Sequence, residues 1–168
     1  MEPAVQAAVI GGIVALIVAA LSSFGSEMYK RHRDATALAG GLAGELRVVA
    51  DALPEILRIF PLLIEKAARG EIVPLPRMKR PTSPVYESRV GDLGLLGPKL
   101  AERVAFTYAM IEAFRAMMEV AVASDVKAQE QHAALTAAVE MVRRVEGGGR
   151  PLIAALHKFA AREPLESY

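Results

Sequence analysis

Residues 3–26 read PAVQAAVIGGIVALIVAALSSFGS, an uncharged stretch around which the rest of the chain is organised. As a helix, a stretch of this length reaches about 36 Å, which is enough to cross a bilayer core of about 30 Å. Ten of its residues are Val, Ile, Leu or Phe. At the helix centre such residues together favour insertion by about 3 to 6 kcal/mol. The sequence therefore predicts a single transmembrane anchor over residues 1–26.

A cleaved signal peptide is the alternative interpretation of this stretch. Signal peptides begin with basic residues, whereas the only charged side chain before the apolar run is that of Glu2. The run is also longer than the apolar region of a usual signal peptide. The sequence therefore favours a retained span over a cleaved one.

Basic residues follow the stretch, and none precedes it. Lys30, Arg31 and Arg33 come directly after the apolar run, and such residues stay on the cytoplasmic side of a membrane. We interpret them as a topology signal, with the amino terminus outside and the rest of the chain in the cytoplasm. Phe24 and Tyr29 have the amphipathic rings that suit a membrane–water interface.

Small residues recur at every fourth position within the stretch. They are Ala7, Gly11, Ala15, Ala19 and Ser23. Residues four apart share one helix face, and a face of small residues lets two membrane helices approach closely. Because alanine is abundant throughout the chain, composition alone could also produce this stripe. The pattern predicts helix packing against a second copy or another subunit, and the spacing does not choose between them.

Composition limits the chemistry that the remaining residues can perform. The chain has 168 residues, a formal net charge of +1 and no cysteine. Disulfides, thiolate catalysis and sulfur-ligated zinc or iron–sulfur sites are therefore excluded, and the overall charge gives no reason to expect nucleic acid as a partner. Aromatic residues make up only 5% of the chain. A core built from Ala, Leu, Val and Met is typical of a helical bundle, so we expect an all-α fold.

Three segments follow the anchor. Over residues 27–70 the sequence predicts a helical segment kinked at Pro54 and Pro61. Each proline lacks a backbone N–H donor, and its ring clashes with the carbonyl one turn earlier in the helix. Residues 71–97 predict a proline-rich linker with a short helix. Residues 98–168 predict a long helix and a short C-terminal helix.

Local signals set the expected helix ends. Ser83-Pro84 and Gly97-Pro98 predict helix starts. Ser124-Asp125 predicts a hinge, and Gly147-Gly148-Gly149 predicts the end of the long helix.

Apolar spacing predicts how these helices pack. Leu38, Leu42, Leu46 and Val49 form one buried stripe. The Ile56–Ile64 segment is apolar nearly all round, which fits either the core or the membrane surface. Seven apolar residues between Phe106 and Val122 span an arc of about 160°, wider than one neighbour requires. We therefore expect this helix to contact two neighbours, the Leu38–Val49 helix and the Ile56–Ile64 segment folded back against it.

No residue pattern predicts catalysis or a metal site. His32, His132 and His157 lie far apart and lack the spacing of metal-binding helices. Glu112, Arg115 and Glu119 alternate in charge on one helix face, which is typical of a solvated surface. We predict that the protein is not an enzyme and that it has no catalytic residue, metal or cofactor.

Three short motifs suggest kinship with other proteins. They are Ala37-Leu38 with Gly44-Glu45-Leu46, Pro84-Val85-Tyr86 with Leu93-Gly94-Leu95-Leu96, and Leu100-Ala101 with Val104 and Phe106-Thr107-Tyr108. In these motifs and in the order of its segments, the chain resembles a loose group of bacterial single-span membrane proteins. The resemblance implies a bacterial inner-membrane location and a cytoplasmic helical domain, and it implies no activity.

Two functions are compatible with these expectations. In the first, the protein is a membrane-anchored interaction or scaffold module whose cytoplasmic bundle binds protein partners. In the second, it is a small accessory subunit of a larger inner-membrane complex. The expected partners are the lipid bilayer and either another protein or a second copy of the chain, contacted through the transmembrane helix and the cytoplasmic helices.

Overall fold

The structure, a computed structural model, describes residues 3–75 and 82–162, and of residues 3–21 it describes only the backbone. These residues form α-helices and one 3₁₀ helix, with no strand among them, which confirms the expected all-α class. The elements are α1 (Pro3–Ala68), α2 (Pro84–Arg89), the 3₁₀ helix (Val90–Leu96), α3 (Pro98–Ala121) and α4 (Ala128–Ala160).

The amino-terminal half of α1 contains the uncharged stretch. Its backbone is helical from Pro3 onward, but the side chains of residues 3–21 lie outside the described part of the chain. Among the residues that the structure describes, no helix has both the length and the apolarity to cross a membrane.

α1 continues without a break through both of its internal prolines. Pro54 and Pro61 are exposed to solvent, so a carbonyl that loses its helical donor can accept a hydrogen bond from water instead. On the other face of this part of α1, Leu53 and Phe60 are buried in the core. The Ile56–Ile64 segment therefore belongs to α1 itself, and the expectation that it folds back as a separate element is wrong.

The carboxyl-terminal half of the chain forms two long helices. The predicted hinge is confirmed, because α3 ends at Ala121 and α4 begins at Ala128. The predicted end at Gly147-Gly148-Gly149 is wrong, since α4 runs through these glycines and through Pro151 to Ala160. Val145, Leu152 and Leu156 are buried on either side of the glycines, and this packing outweighs their low helix propensity.

α1, α3 and α4 form a three-helix bundle in which α4 runs antiparallel to the other two. At one end Leu38 and Leu42 of α1 share a core cluster with Leu156 of α4. At the other end Phe60 of α1 shares a second cluster with Leu135 of α4 and Met118 of α3. The predicted stripe on α1 is confirmed: Leu38, Leu42 and Leu46 are buried and Val49 packs against them.

α3 differs from its predicted packing in two respects. Its main neighbour is α4, whereas it makes few direct contacts with α1. Phe106, which the apolar arc placed in the core, is 52% exposed. Phe114 and Met118 of the same arc do pack in the core, so the arc is narrower than expected.

The linker returns the chain from the end of α1 to the start of α3. Pro84 is the first residue of α2, as predicted, but the Ser83 side chain does not cap that helix. The 3₁₀ helix then buries Leu93 and Leu96 in the core. Gly97 follows with φ of +78° and ψ of 160°, a conformation that is essentially restricted to glycine.

Candidate functional site

An apolar cleft lies between α1 and α3, with α4 as its floor. Because α4 packs along both helices while they contact each other only sparsely, the space between them is incompletely filled. The cleft has a volume of about 290 Å³. Its lining residues are Val48, Val49, Ala52, Leu53, Ile56, Ile111, Phe114, Arg115, Met118, Glu119, Val122, Val142 and Val145.

The α1 wall consists of residues at helical spacing of three and four. Leu53 is buried at the bottom of this wall, and Val48 is 73% exposed at its outer edge. An exposed aliphatic side chain on the lip of an apolar cleft extends the apolar surface available to a ligand. This wall contributes no charged residue to the lining.

The α3 wall combines apolar side chains with two charged ones. Ile111 and Met118 are buried, and Phe114 is half-buried with its ring 6.1 Å from that of Phe60 on α1. This ring pair joins the two walls at the end of the cleft furthest from α2. Arg115 and Glu119 supply the charged atoms of the wall.

Arg115 is buried, with only 7% of its surface exposed. Its Nη2 donates a hydrogen bond of 3.0 Å to Oγ of Ser83, and its Nη1 forms an ion pair with Glu112. Burying an arginine requires such partners, because an unpaired charge would be costly to desolvate. The prediction that Glu112, Arg115 and Glu119 form a solvated stripe is therefore wrong for Arg115, whose cation is compensated within the fold.

Glu119 differs from Arg115 in both exposure and pairing. Its side chain is exposed, and it makes no ion pair with any other residue in the described part of the chain. Since Arg115 is already paired with Glu112, the rim of the α3 wall offers a net negative charge to an incoming group.

α2 and the 3₁₀ helix fill the space between α1 and α3 at the opposite end of the cleft. The Glu45 carboxylate accepts hydrogen bonds from the backbone N–H groups of Val85 and Tyr86, at 3.4 and 3.2 Å. The rings of Tyr86 and Tyr108 stack with their centroids 3.9 Å apart. A carboxylate at the start of a helix is favourable because it meets free N–H groups, and here it holds α2 against both walls.

A buried glutamine stabilises the bundle at the end of the cleft furthest from α2. Gln131 donates hydrogen bonds of 2.9 Å to the carbonyl oxygens of Val73 and Ala121, and it accepts one of 2.8 Å from the N–H of Val73. These bonds tie the start of the linker and the end of α3 to α4. Both ends of the cleft are thus held by hydrogen-bonded side chains.

The two sets of site residues predicted from the sequence, the small-residue stripe and the topology signal, do not line the cleft. The side chains of Ala7, Gly11, Ala15 and Ala19 fall outside the described residues, and Ser23 is exposed. Lys30, Arg31 and Arg33 are exposed on α1. Arg31 and Arg33 lie 3.6 Å from Glu27 and Asp34, respectively. The predicted topology signal is therefore separate from the cleft.

The histidines do not come together either. His32 makes a hydrogen bond of 3.0 Å with the carbonyl oxygen of Arg162, which joins the end of α4 to α1. Within the described ranges, no group of three or more His, Cys, Asp or Glu side chains could hold a metal ion.

The residues of the cleft had only one signal in the sequence. Arg115 fills one step of a stripe of apolar residues at core-like spacing on α3, a signal of a buried, paired charge that the prediction of a solvated stripe overlooked. The other members of that stripe are Leu100, Val104, Tyr108, Ile111, Met118 and Val122. Comparison of the chain with protein-family models, with curated proteins and with solved structures finds no match.

Proposed function

We propose that this protein is a membrane-anchored helical interaction module whose cytoplasmic bundle binds protein partners. The cleft between α1 and α3 is the observation that supports the proposal most. It is a preformed concave surface with an almost entirely apolar lining, and such surfaces are the usual places where proteins bind other molecules.

The proposed anchor is the uncharged stretch of residues 3–26. Its length, its apolar composition and the basic residues Lys30, Arg31 and Arg33 that follow it support a single span with the bundle in the cytoplasm. On this proposal the protein resides in the bacterial inner membrane, as its resemblance to single-span proteins of that membrane implies.

Because α1 is one continuous helix, the proposal also predicts how far the cleft lies from the membrane. Since the helix is unbroken from Pro3 to Ala68, an anchored amino-terminal part would hold the bundle at a fixed distance from the membrane. The cleft begins at Val48, about 33 Å beyond Ser26 at 1.5 Å per residue. A partner would therefore meet the cleft well away from the lipid surface.

A second proposal is that the protein is an accessory subunit of a larger membrane complex. The stripe formed by Ala7, Gly11, Ala15, Ala19 and Ser23 supports this proposal, because small residues on one face favour close packing of membrane helices. The two proposals differ in which part of the chain makes the principal contact.

The test places a photoreactive phenylalanine in the full-length protein at one of three sites and analyses complexes purified in mild detergent. Ala52 lies in the cleft, Arg47 is an exposed residue outside it, and Ala15 belongs to the stripe. An interaction module should give protein crosslinks from the bundle, and one that binds through the cleft should give them from Ala52 and none from Arg47. Stoichiometric membrane partners crosslinked only from Ala15 would contradict it in favour of the accessory subunit.

The orientation is tested with carboxyl-terminal fusions of the full chain. A fluorescent protein that matures in the cytoplasm should fluoresce, and a reporter enzyme that is active only in the periplasm should stay inactive. The reverse pattern would place the bundle outside and contradict the proposed location.

A further inference from the structure

We infer that the cleft receives one amphipathic helix of a protein partner, with a lysine or arginine of that helix against Glu119. This inference rests on the proposed interaction function and specifies the kind of partner. It is supported by the shape of the cleft, by the charge on its rim and by its distance from the proposed anchor.

The shape of the cleft matches a helix lying along it. On α1 the lining runs from Val48 to Ile56, which is about 12 Å, and on α3 from Ile111 to Val122, which is about 16 Å. A helix of about three turns has this length. The volume of about 290 Å³ lies just below the roughly 300–1,000 Å³ of small-molecule sites, and it suits a few apolar side chains projecting from a helix that rests on the rims.

The architecture of the bundle leaves a position for this helix. α1 and α3 both pack on α4 but hardly on each other, so they flank α4 as two helices flank a third in a four-helix bundle. Beside Glu45 the chain's own α2 and 3₁₀ helix occupy the fourth position. In the described part of the chain, no other helix continues this layer over the cleft.

The charges select the sequence of the occupant. Arg115 is buried and paired with Glu112, so it has no uncompensated charge to attract an acidic group. Glu119 is exposed and makes no ion pair with a described residue. An occupant with an apolar stripe and a basic residue at the rim would complement both features, since opposite charges at the edge of an interface guide association and discriminate between partners.

The position of the cleft disfavours a membrane lipid as the occupant. With residues 3–26 in the bilayer, α1 places Val48 about 33 Å beyond the end of the apolar stretch. This distance exceeds the whole thickness of a bilayer core, about 30 Å. A helix of a cytoplasmic protein, or of the cytoplasmic part of a membrane protein, can reach this site.

The test combines crosslinking with charge reversal in the full-length protein. A photoreactive phenylalanine at Ala52 should crosslink a partner, and mass spectrometry should map the crosslink to a helix with apolar residues at spacings of three and four and a nearby Lys or Arg. Glu119→Lys should lower the crosslink yield about three- to tenfold, because an attraction becomes a repulsion. Replacing the mapped basic residue of the partner by Glu should restore the yield.

Glu102→Lys is the matched control, because Glu102 is an exposed carboxylate on the same helix outside the cleft. It should leave the crosslink unchanged, and the thermal unfolding midpoints of the two variants should agree. The inference is overturned by a crosslink within the same chain, by one to a second copy, or by a copurified lipid or other small molecule in the cleft. Equal yields for Glu119→Lys and Glu102→Lys would overturn it as well.

A failure of this inference can be told apart from a failure of the proposed function. Protein crosslinks from other exposed positions of the bundle, with none from Ala52, would leave an interaction module that binds through a different surface. The absence of protein crosslinks from every position of the bundle would contradict both.

Discussion

The phenol of Tyr108 donates a hydrogen bond of 2.7 Å to Oε2 of Glu45, and this bond joins α3 directly to α1. It matters because these two helices otherwise make few contacts. The same carboxylate holds the first N–H groups of α2. The end of the bundle nearest to α2 is therefore held by one acidic side chain of α1 that contacts both α2 and α3.

Replacing Tyr108 by Phe should destabilise the bundle. The ring and its stacking on Tyr86 remain, while the hydrogen bond to a charged acceptor is lost. Such bonds contribute about 1.5 to 3 kcal/mol, so the free energy of unfolding at neutral pH should fall by that amount. Urea unfolding of the full chain in detergent measures the change. Tyr29→Phe, at an exposed tyrosine of α1, is the control and should have no effect.

The same tyrosine should make stability depend on pH in alkaline solution. Burial, and then the hydrogen bond to Glu45, raise the pKa of Tyr108 above its usual value. In the unfolded chain a tyrosine loses its proton near pH 10, whereas in the folded chain Tyr108 keeps its proton to a higher pH. The stabilisation is therefore complete below about pH 10 and declines as the pH rises, by up to about 1.4 kcal/mol per pH unit.

Tyr108→Phe should remove this part of the alkaline slope. Unfolding free energies measured between pH 9 and pH 11 would show a shallower decline for the variant than for the parent chain. Parallel curves would mean that Tyr108 ionises equally in the two states, which would contradict its burial against Glu45.

Gln131→Ala should destabilise the chain more than most polar substitutions. Three backbone groups would lose their partner: the N–H and C=O of Val73 and the C=O of Ala121. Each buried polar group left without a partner costs about 1 to 3 kcal/mol. We expect a loss of about 3 kcal/mol or more in urea unfolding. Gln129→Ala, at an exposed position two residues earlier, should change stability by less than about 0.5 kcal/mol.

Phe114→Ala should lower the free energy of unfolding, because it removes the ring contact with Phe60 that joins α3 to α1. Truncating a fully buried Phe costs about 3 to 5 kcal/mol, and a half-buried one should cost less, about 2 kcal/mol. Phe106→Ala on the same helix is the control, because Phe106 is 52% exposed and should cost under about 1 kcal/mol. Equal losses for the two variants in thermal or urea unfolding would contradict the packing of α3 described above.

Much of the fold could be predicted because its signals are local. The stripe through Leu38, Leu42 and Leu46, the start of α3 at Pro98 and the break before α4 all depend on neighbouring residues. The continuation of α4 through Gly147-Gly148-Gly149 could not be predicted in this way. It depends on the burial of Leu152 and Leu156 against elements that are distant in sequence.

The cleft was harder to predict than the helices. The contacts that frame it join residues far apart in the chain, for example Glu45 with Tyr108 and Ser83 with Arg115. Spacing within one helix places Arg115 on the core face but does not reveal what pairs with it. The space between α1 and α3 depends on how α4 separates them, and no local pattern carries that information.

The last prediction concerns Gly147 and Gly148 of α4. It also tests whether any other surface packs against them. Gly147 and Gly148 are exposed inside the helix, and a Cβ added at either would meet nothing within 4 Å. Gly-to-Ala changes in an exposed helix interior stabilise by about 0.5 to 1 kcal/mol each. Gly147→Ala and Gly148→Ala together should therefore raise the free energy of urea unfolding by about 1 to 2 kcal/mol.

Gly97→Ala is the opposing control for this prediction. Its φ of +78° and ψ of 160° are strained for any residue with a Cβ, so alanine there should cost about 1 to 3 kcal/mol. If the two α4 substitutions destabilised the full chain instead, another surface would have to pack against these glycines closely enough to exclude a methyl group. Opposite signs for the two sites would show that the exposed glycines of α4 weaken their helix, whereas the glycine before α3 is required by its backbone conformation.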